Sequence, residues 1–362
     1  MHLDRLPSGS WRVRVSVGGR RRSTTAPTRR DAEIAGARLL IELGRHLAGR
    51  DVTVAVLAGT HLADAELAAT TADDYRRVVD ALPAHFTDRR VADVGVGDVE
   101  HLYRTLGWSP HRLDRLHTVL SAAWQRAMRY DWADRNVVRL AQRPKVTPRP
   151  VTPPDDVDVA RLLDAADGPL GVWLRLAATT GARRGEICGL QWHDLDLDTG
   201  ALVIRRAVSY TPASGLVVTA TKTGAKGHRV VALDVPTSRL LARHRAERAE
   251  HLLGLGLAWR DDWWVFSHRL GETSWRPDYV THAFGVLRGD LGLEHVRLHD
   301  LRHYVATTLL ADGEAPVTVA GRLGHATAAT TLRRYAHFVP ATDRAAADSL
   351  ARRLAQHGND GG

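Results

Sequence analysis

Five prolines fall within the twelve residues Arg143-Pro144-Lys145-Val146-Thr147-Pro148-Arg149-Pro150-Val151-Thr152-Pro153-Pro154, and no other stretch restricts the fold as strongly. Proline lacks the amide hydrogen that helices and sheets need and fixes its own φ, so neither element can run through such a segment. It predicts an extended, semi-rigid connection, placed at 146–154, between bodies at 51–145 and 155–362. A chain of 362 residues also exceeds what one ordinary core holds. A third unit, 1–50, is set apart by its charge.

The formal net charge is +9, and residues 1–50 carry 11 − 4 = +7 of it, from eleven arginines against Asp4, Asp31, Glu33 and Glu42. Such an arm favours a polyanion, nucleic acid first, because a cationic surface gathers phosphates and releases their condensed counterions. Within it, Trp11 to Val17 alternates apolar with polar, Gly18-Gly19 supplies a hairpin turn, and Arg20-Arg21-Arg22-Ser23-Thr24-Thr25 returns as a second strand before a helix from Thr28. The two-residue period puts Arg12, Arg14 and Ser16 on one face. Arg12, Arg14, Arg20, Arg21 and Arg22 are the arm's candidate DNA contacts. A solvated, charge-protected strand edge is the plainer alternative. Cys188 is the single cysteine, so an internal disulfide framework is excluded, and no apolar run reaches the length of a membrane span. With no basic-then-apolar leader at the N-terminus, the expected location is the cytosol, on the DNA there.

Residues 51–145 read as all-helical. Ser109-Pro110 is a helix start, a capping hydroxyl with proline at the first helical position. Leu113, Leu116, Leu120, Trp124 and Met128 then recur at helical steps as a buried stripe, with Arg112, Arg115 and Arg126 opposite. From Leu102 to Lys145 nine basic residues face three aspartates, which turns one side of this module toward DNA or makes it an ordinary solvated face.

Beyond the linker, a helix through Trp173 and Leu174 leads to Thr180-Gly181-Ala182-Arg183-Arg184-Gly185-Glu186, a new helix begins near Arg183, and strands are expected at Leu202–Val208, Leu216–Ala220 and His228–Leu233. Mostly helix follows, carrying His299-Asp300-Leu301-Arg302-His303, then Leu323-Gly324-His325, then Arg333-Arg334-Tyr335. His299 and Arg302 lie three apart and share a helical face, with His303 beside them and Leu298, Leu301, Val305 and Leu309 on the apolar side. A phosphodiester repels nucleophiles, and its pentavalent transition state concentrates more charge on the nonbridging oxygens. Guanidinium suits that charge because it stays protonated and donates paired hydrogen bonds, and imidazole suits proton movement near neutrality. A phenol, with its pKa near 10, becomes a useful nucleophile only in a cationic pocket or beside a base.

On these motifs the chain resembles the tyrosine recombinases, in particular the phage-type integrases, over most of its length. The resemblance implies a multidomain, mainly α protein. It would have a small N-terminal β-sheet arm-binding domain, a helical core-binding (SAM-like) domain, and an α-rich mixed α/β catalytic domain with a three-stranded antiparallel sheet. It implies a catalytic set of Arg183, Lys222, His299, Arg302 and His325 with Tyr335 as nucleophile, and Glu186 and His303 in support. The implied reaction is site-specific cutting and rejoining of duplex DNA at attachment sites through a 3′-phosphotyrosine and a four-way junction. It implies no metal, no nucleotide and no other cofactor. The implied assembly is a homotetramer on DNA, with accessory bending or directionality factors, and a helix within Thr342 to Leu354 packing on a neighbouring subunit.

Several positions have rivals. Arg184 and Arg175 compete with Arg183, and Lys226 competes with Lys222 in the turn after Thr219-Ala220-Thr221. His299 and His303, four apart, with His325 as a third ligand, form an alternative zinc reading, which leaves the cationic arm unexplained. A DNA-binding regulator without catalysis and a topoisomerase are further alternatives, and Cys188, set among apolar neighbours, reads as core rather than nucleophile.

Overall fold

The computed structural model describes residues 2–17, 20–29, 31–33, 35–36, 39, 51–147, 152–220, 228–268, 270–325 and 327–335. The chain divides into two compact units, Met1–Pro148 and Arg149–Gly362.

The first unit contains an antiparallel sheet in the order β1 (His2–Arg5), β2 (Trp11–Val17), β3 (Arg20–Ala26). Val13 and Val15 are buried while Arg12, Arg14 and Ser16 are exposed, the alternation expected from the two-residue period. β1 was not expected, since His-Leu-Asp-Arg is too short to show a pattern of its own. Pairing creates it: Leu3 faces Val13 across the ladder, and the Asp4 carboxylate accepts a hydrogen bond from Arg14.

The same unit contains the helices α1 (Val54–Asp64), α2 (Ala69–Asp80), α3 (Ala84–Thr87), α4 (Val96–Thr105), α5 (Pro110–Arg129) and α6 (Val137–Leu140). Ser109 caps α5, its hydroxyl accepting from the Arg112 amide at 3.4 Å, with Pro110 in the first turn. Leu116, Leu120 and Trp124 are fully buried against Leu57 and Leu102, whereas Leu113 and Met128, at the ends of the stripe, are half-buried. Each such leucine contributes roughly 1.5–3 kcal/mol by leaving water.

The second unit opens with α7 (Asp156–Ala165), capped by the Asp155 carboxylate, and α8 (Gly168–Thr180), followed by the short α9 (Arg184–Cys188). Then come β4 (Leu195–Asp196), β5 (Ala201–Ile204), β6 (Arg206–Thr211), β7 (Gly215–Ala220) and β8 (Arg229–Ala232). The strand expected from Leu202 to Val208 is broken at Arg205. β5 joins β4 and β8 in a three-stranded sheet, and β6 pairs only with β7 as a hairpin. The cause is electrostatic. Arg205 and Arg206 both reach the buried Asp194 carboxylate, at 3.2 and 2.5 Å, which successive residues of one strand, pointing to opposite faces, cannot do.

Helices α10 (Val235–Gly254), α11 (Pro277–Asp290), α12 (Asp300–Ala311), α13 (Pro316–Leu323) and α14 (Ala328–Tyr335) complete the unit. Trp173, Leu174, Leu176, Phe266, Phe284 and Leu301 anchor its main core, and the apolar run at Trp263–Phe266 is part of it. α12 packs on α8 and α13, and α13 packs on β8 and α14. No described helix is long and apolar enough to cross a membrane.

Candidate active site

α8 ends where Gly181 takes a left-handed conformation, φ 63°. A side chain is excluded there by packing as well as by φ, because a Cβ would lie 2.5 Å from Leu323 Cδ2. The turn aims the Gly181 carbonyl at Arg302, whose Nη1 donates to it at 2.7 Å. Two residues later Arg183 caps α9. Its amide donates to Glu186 Oε2 and its Nη1 to Glu186 Oε1, both at 2.8 Å, while Nη2 reaches the Gly324 carbonyl at 3.1 Å.

Glu186 is 2% exposed and also receives Arg229 Nη2 at 2.7 Å and Nη1 at 3.2 Å. Burial alone would raise its pKa, but the bonds and charge of Arg229, with those of Arg183, outweigh it and hold the carboxyl below its ordinary value. Arg302 is 4% exposed, and its Nη2 has no hydrogen-bond partner among the described residues. Burial, then the nearby Arg183 charge, bring its pKa down to about 10, which leaves it cationic at neutral pH.

α12 begins at His299, which is exposed at the cap position, and its first turn carries Arg302 and His303. The His299 and His303 rings meet edge to face, centroids 4.8 Å apart. His303 is buried, and its Nδ1 lies 2.5 Å from the Tyr335 hydroxyl. Tyr335, at the end of α14, is 1% exposed and packs with Val305, Leu310, Val319 and Leu323. His325 follows Gly324, which ends α13 at φ 69°, and its Nδ1 lies 2.7 Å from the Thr331 hydroxyl. A cavity of about 580 Å³ opens beside these groups, lined by Arg183, Arg184, Arg288, Arg297, His299 and Arg302 over Trp173 and Phe284. Its charge and donors match a phosphodiester.

Arg183, Glu186, His299, Arg302, His303, His325 and Tyr335 thus lie on connected elements of one unit. Of the rivals of Arg183, Arg175 is engaged away from the cavity, with Thr237 and Asp234, whereas Arg184 also lines it and donates to Thr281. Cys188 is fully buried, and burial pushes its thiol up to about 12, which makes it a poor nucleophile. No group of three or more His, Cys, Asp and Glu among the described residues is arranged to hold a metal. Lys222, Lys226 and the segment Thr342 to Leu354 lie outside the described residues.

Of the other sequence-derived contacts, Arg12, Arg14, Arg21 and Arg22 are exposed on the N-terminal sheet, while the Arg20 side chain lies outside the described residues. In the helical module Arg112 stacks over Trp108 at 3.7 Å, Arg115 pairs with Asp74 at 3.2 Å, and Arg126 pairs with Asp64. Arg229 was missed as a member of the site. Its signal is its phase: it shares the inward face of β8 with the buried Val231, and a cation on an apolar strand face calls for a buried carboxylate.

The model of the phage integrase family matches residues 155–341. The chain is 26% identical over 370 residues to the ICEBs1 integrase of Bacillus subtilis (strain 168), covering 97% of this chain and 99% of that protein. Among solved structures it resembles the Tn1549 transposon integrase in complex with a circular intermediate DNA, with TM-score 0.69 and 20% identity, covering 83% of this chain and 99% of that one. It also resembles a lambda integrase tetramer bound to a Holliday junction, with TM-score 0.59 and 18% identity, covering 90% and 95% of the two chains. At such identities the structural likeness concerns the fold.

Proposed function

The chain belongs to the phage integrase family, as a site-specific DNA recombinase of the tyrosine type, and on that premise we propose that Tyr335 is its nucleophile and Arg183 and Arg302 its phosphate-binding pair. The observation that carries this assignment is the 2.5 Å approach of His303 Nδ1 to the Tyr335 hydroxyl, one residue from the buried Arg302 guanidinium. The first turn of α12 then brings a proton acceptor and a cation for the developing charge to the hydroxyl that α14 presents.

In this reading the Tyr335 oxygen attacks the scissile phosphorus while its proton passes to His303. The bond from phosphorus to the 5′ oxygen breaks, Lys222 protonates the leaving alkoxide, and a 3′-phosphotyrosine remains. Arg183 and Arg302 donate to the nonbridging oxygens, and His299 and His325 supply further hydrogen bonds. The 5′-hydroxyl of a second duplex then attacks the phosphotyrosine and releases Tyr335. One phosphoester replaces another at each step, so the strand exchange balances without nucleotide. With Tyr335 1% exposed, α14 must shift before attack.

The proposed division of labour follows the charge. Residues 1–50 form an arm-type DNA-binding domain, 51–145 a core-binding domain, and 155–362 the catalytic domain. Four copies assemble on paired attachment sites, accessory DNA-bending or directionality factors act with them, and the protein works in the cytoplasm.

The proposed activity integrates or excises a mobile element, and the test uses a nicked suicide duplex carrying the crossover site, read from the junction of that element's circular form. A covalent protein–DNA adduct that survives chelator is expected, and Tyr335→Phe should abolish it while the chain still binds DNA. That variant also leaves the buried His303 without this hydroxyl, a cost of about 1–3 kcal/mol in stability. Adduct formation at the normal rate by Tyr335→Phe removes the assignment.

A further inference from the structure

Arg183 has a neighbour that works against the role just given to it. Its guanidinium touches Glu186, and a lone carboxylate at 2.8 Å cancels much of the positive charge a phosphodiester is to feel. The pair alone would sum to zero.

Glu186 is shared, however. Arg229 grips it with both terminal nitrogens at 2.7 and 3.2 Å, its side chain is 10% exposed, and its Nε donates to the Arg322 carbonyl at 3.0 Å. The triad carries two guanidiniums and one carboxylate, and only Arg183 of the two cations lines the cavity. Arg229 also lies directly under Gly324, where a Cβ would fall 2.5 Å from its Nη1, and the Gly324 carbonyl receives Arg183. One side chain therefore touches the carboxylate that orients Arg183 and the turn that leads into His325.

We infer that Arg229 is a positioning residue for strand cleavage: by satisfying Glu186 it lets that carboxylate hold Arg183 in place without consuming the charge Arg183 offers to the scissile phosphate. The inference rests on the reading of Arg183 as a phosphate ligand. Remove Arg229, and a buried carboxylate with an unmet demand turns fully to Arg183. Remove both Glu186 and Arg229, and Arg183 regains its free charge.

The experiment measures covalent adduct formation on the suicide duplex, with DNA binding by mobility shift and folding by thermal melting, for Arg229→Gln, Glu186→Gln, the double variant and Arg183→Lys. Arg229→Gln is expected to slow adduct formation on the order of 10²-fold, the scale of losing one preorganised donor, with DNA affinity changed less than about threefold. In the Glu186→Gln background the same change should cost less than about tenfold in rate, and mere structural support would instead show the coupling in the melting temperature with the rate following it. A folded Arg229→Gln chain with a normal rate overturns the inference, and so does an equal loss in both backgrounds. Should Arg229→Gln fail to fold alone, comparing the double variant with Glu186→Gln still decides, and a loss above about tenfold there overturns it. Arg183→Lys separates the two readings: a normal rate in that variant sinks the phosphate-ligand assignment, whereas a large loss there beside a silent Arg229→Gln sinks only the role of Arg229.

Discussion

The helical module and the candidate active site are both rich in arginine, and they treat it in opposite ways. In the module many guanidiniums pair with aspartates at the surface: Arg126 with Asp64, Arg143 with Asp114 at 2.6 Å, Arg89 with Asp98 at 2.7 Å. In the site, Arg183 and Arg229 share one carboxylate, and the remaining bonds of Arg183, Arg229 and Arg302 go to the carbonyls of Gly324, Arg322 and Gly181. A carbonyl fixes a guanidinium without cancelling its charge, so the site holds its positive surplus in fixed positions. Exposed pairs are worth about 0–1 kcal/mol and exchange readily for phosphates, which suits adjustable contact with a duplex. Carbonyl-held arginines suit a fixed transition state.

Beyond the loss of the adduct in Tyr335→Phe, the largest expected effect comes from Arg302→Lys. An ammonium cannot reach the Gly181 carbonyl and a phosphate oxygen with one planar fork, so single-turnover adduct formation should fall on the order of 10²-fold or more while DNA still binds. A loss under about tenfold would mean that charge alone matters there and would erase the contrast between the two regions.

Next comes acid stability. The folded pKa of Glu186 lies below the ordinary glutamate value of 4.5, so its contribution is fully present above that value and disappears as pH falls through the lower folded one. Urea midpoints of the wild-type chain should therefore drop on acidification below about pH 4.5, and Glu186→Gln should flatten that limb. An unchanged acid limb would place the sensitivity in other carboxylates.

The smallest effect is expected in the module. Arg115→Ala, which removes the pair with Asp74, should change stability by less than about 1 kcal/mol. If Arg115 trades Asp74 for a phosphate, the slope of log affinity against log salt should shrink by about one. An unaltered slope would assign Arg115 to the bundle surface alone.

Much of this site was legible because its groups come in short local patterns. Thr180-Gly181-Ala182-Arg183 ends one helix and starts another by turn chemistry, and His299 to His303 occupy one helical turn. The left-handed glycine and the capping glutamate are local requirements, and local requirements leave marks at fixed spacing. The break at Arg205, the pairing of β1 and the place of Arg229 left weaker marks, because each depends on a partner distant in sequence: Asp194, β2 and Glu186. The three strands were visible as apolar runs, but which strand pairs with which depended on where one buried aspartate sat.

The chain's order of residues determined on its own the charge of the N-terminal arm, the proline break after Arg143, and the helix starts at Ser109 and Arg183. Each follows from a residue's own chemistry or that of neighbours within about one helical turn. Tertiary structure alone decided that Arg302 is buried with a nitrogen in reserve, that Tyr335 lies hidden against His303, and that Arg183 and Arg229 divide one carboxylate. Burial and shared partners belong to surfaces brought together by packing, and the low dielectric that strengthens these charges exists only once the chain has closed around them.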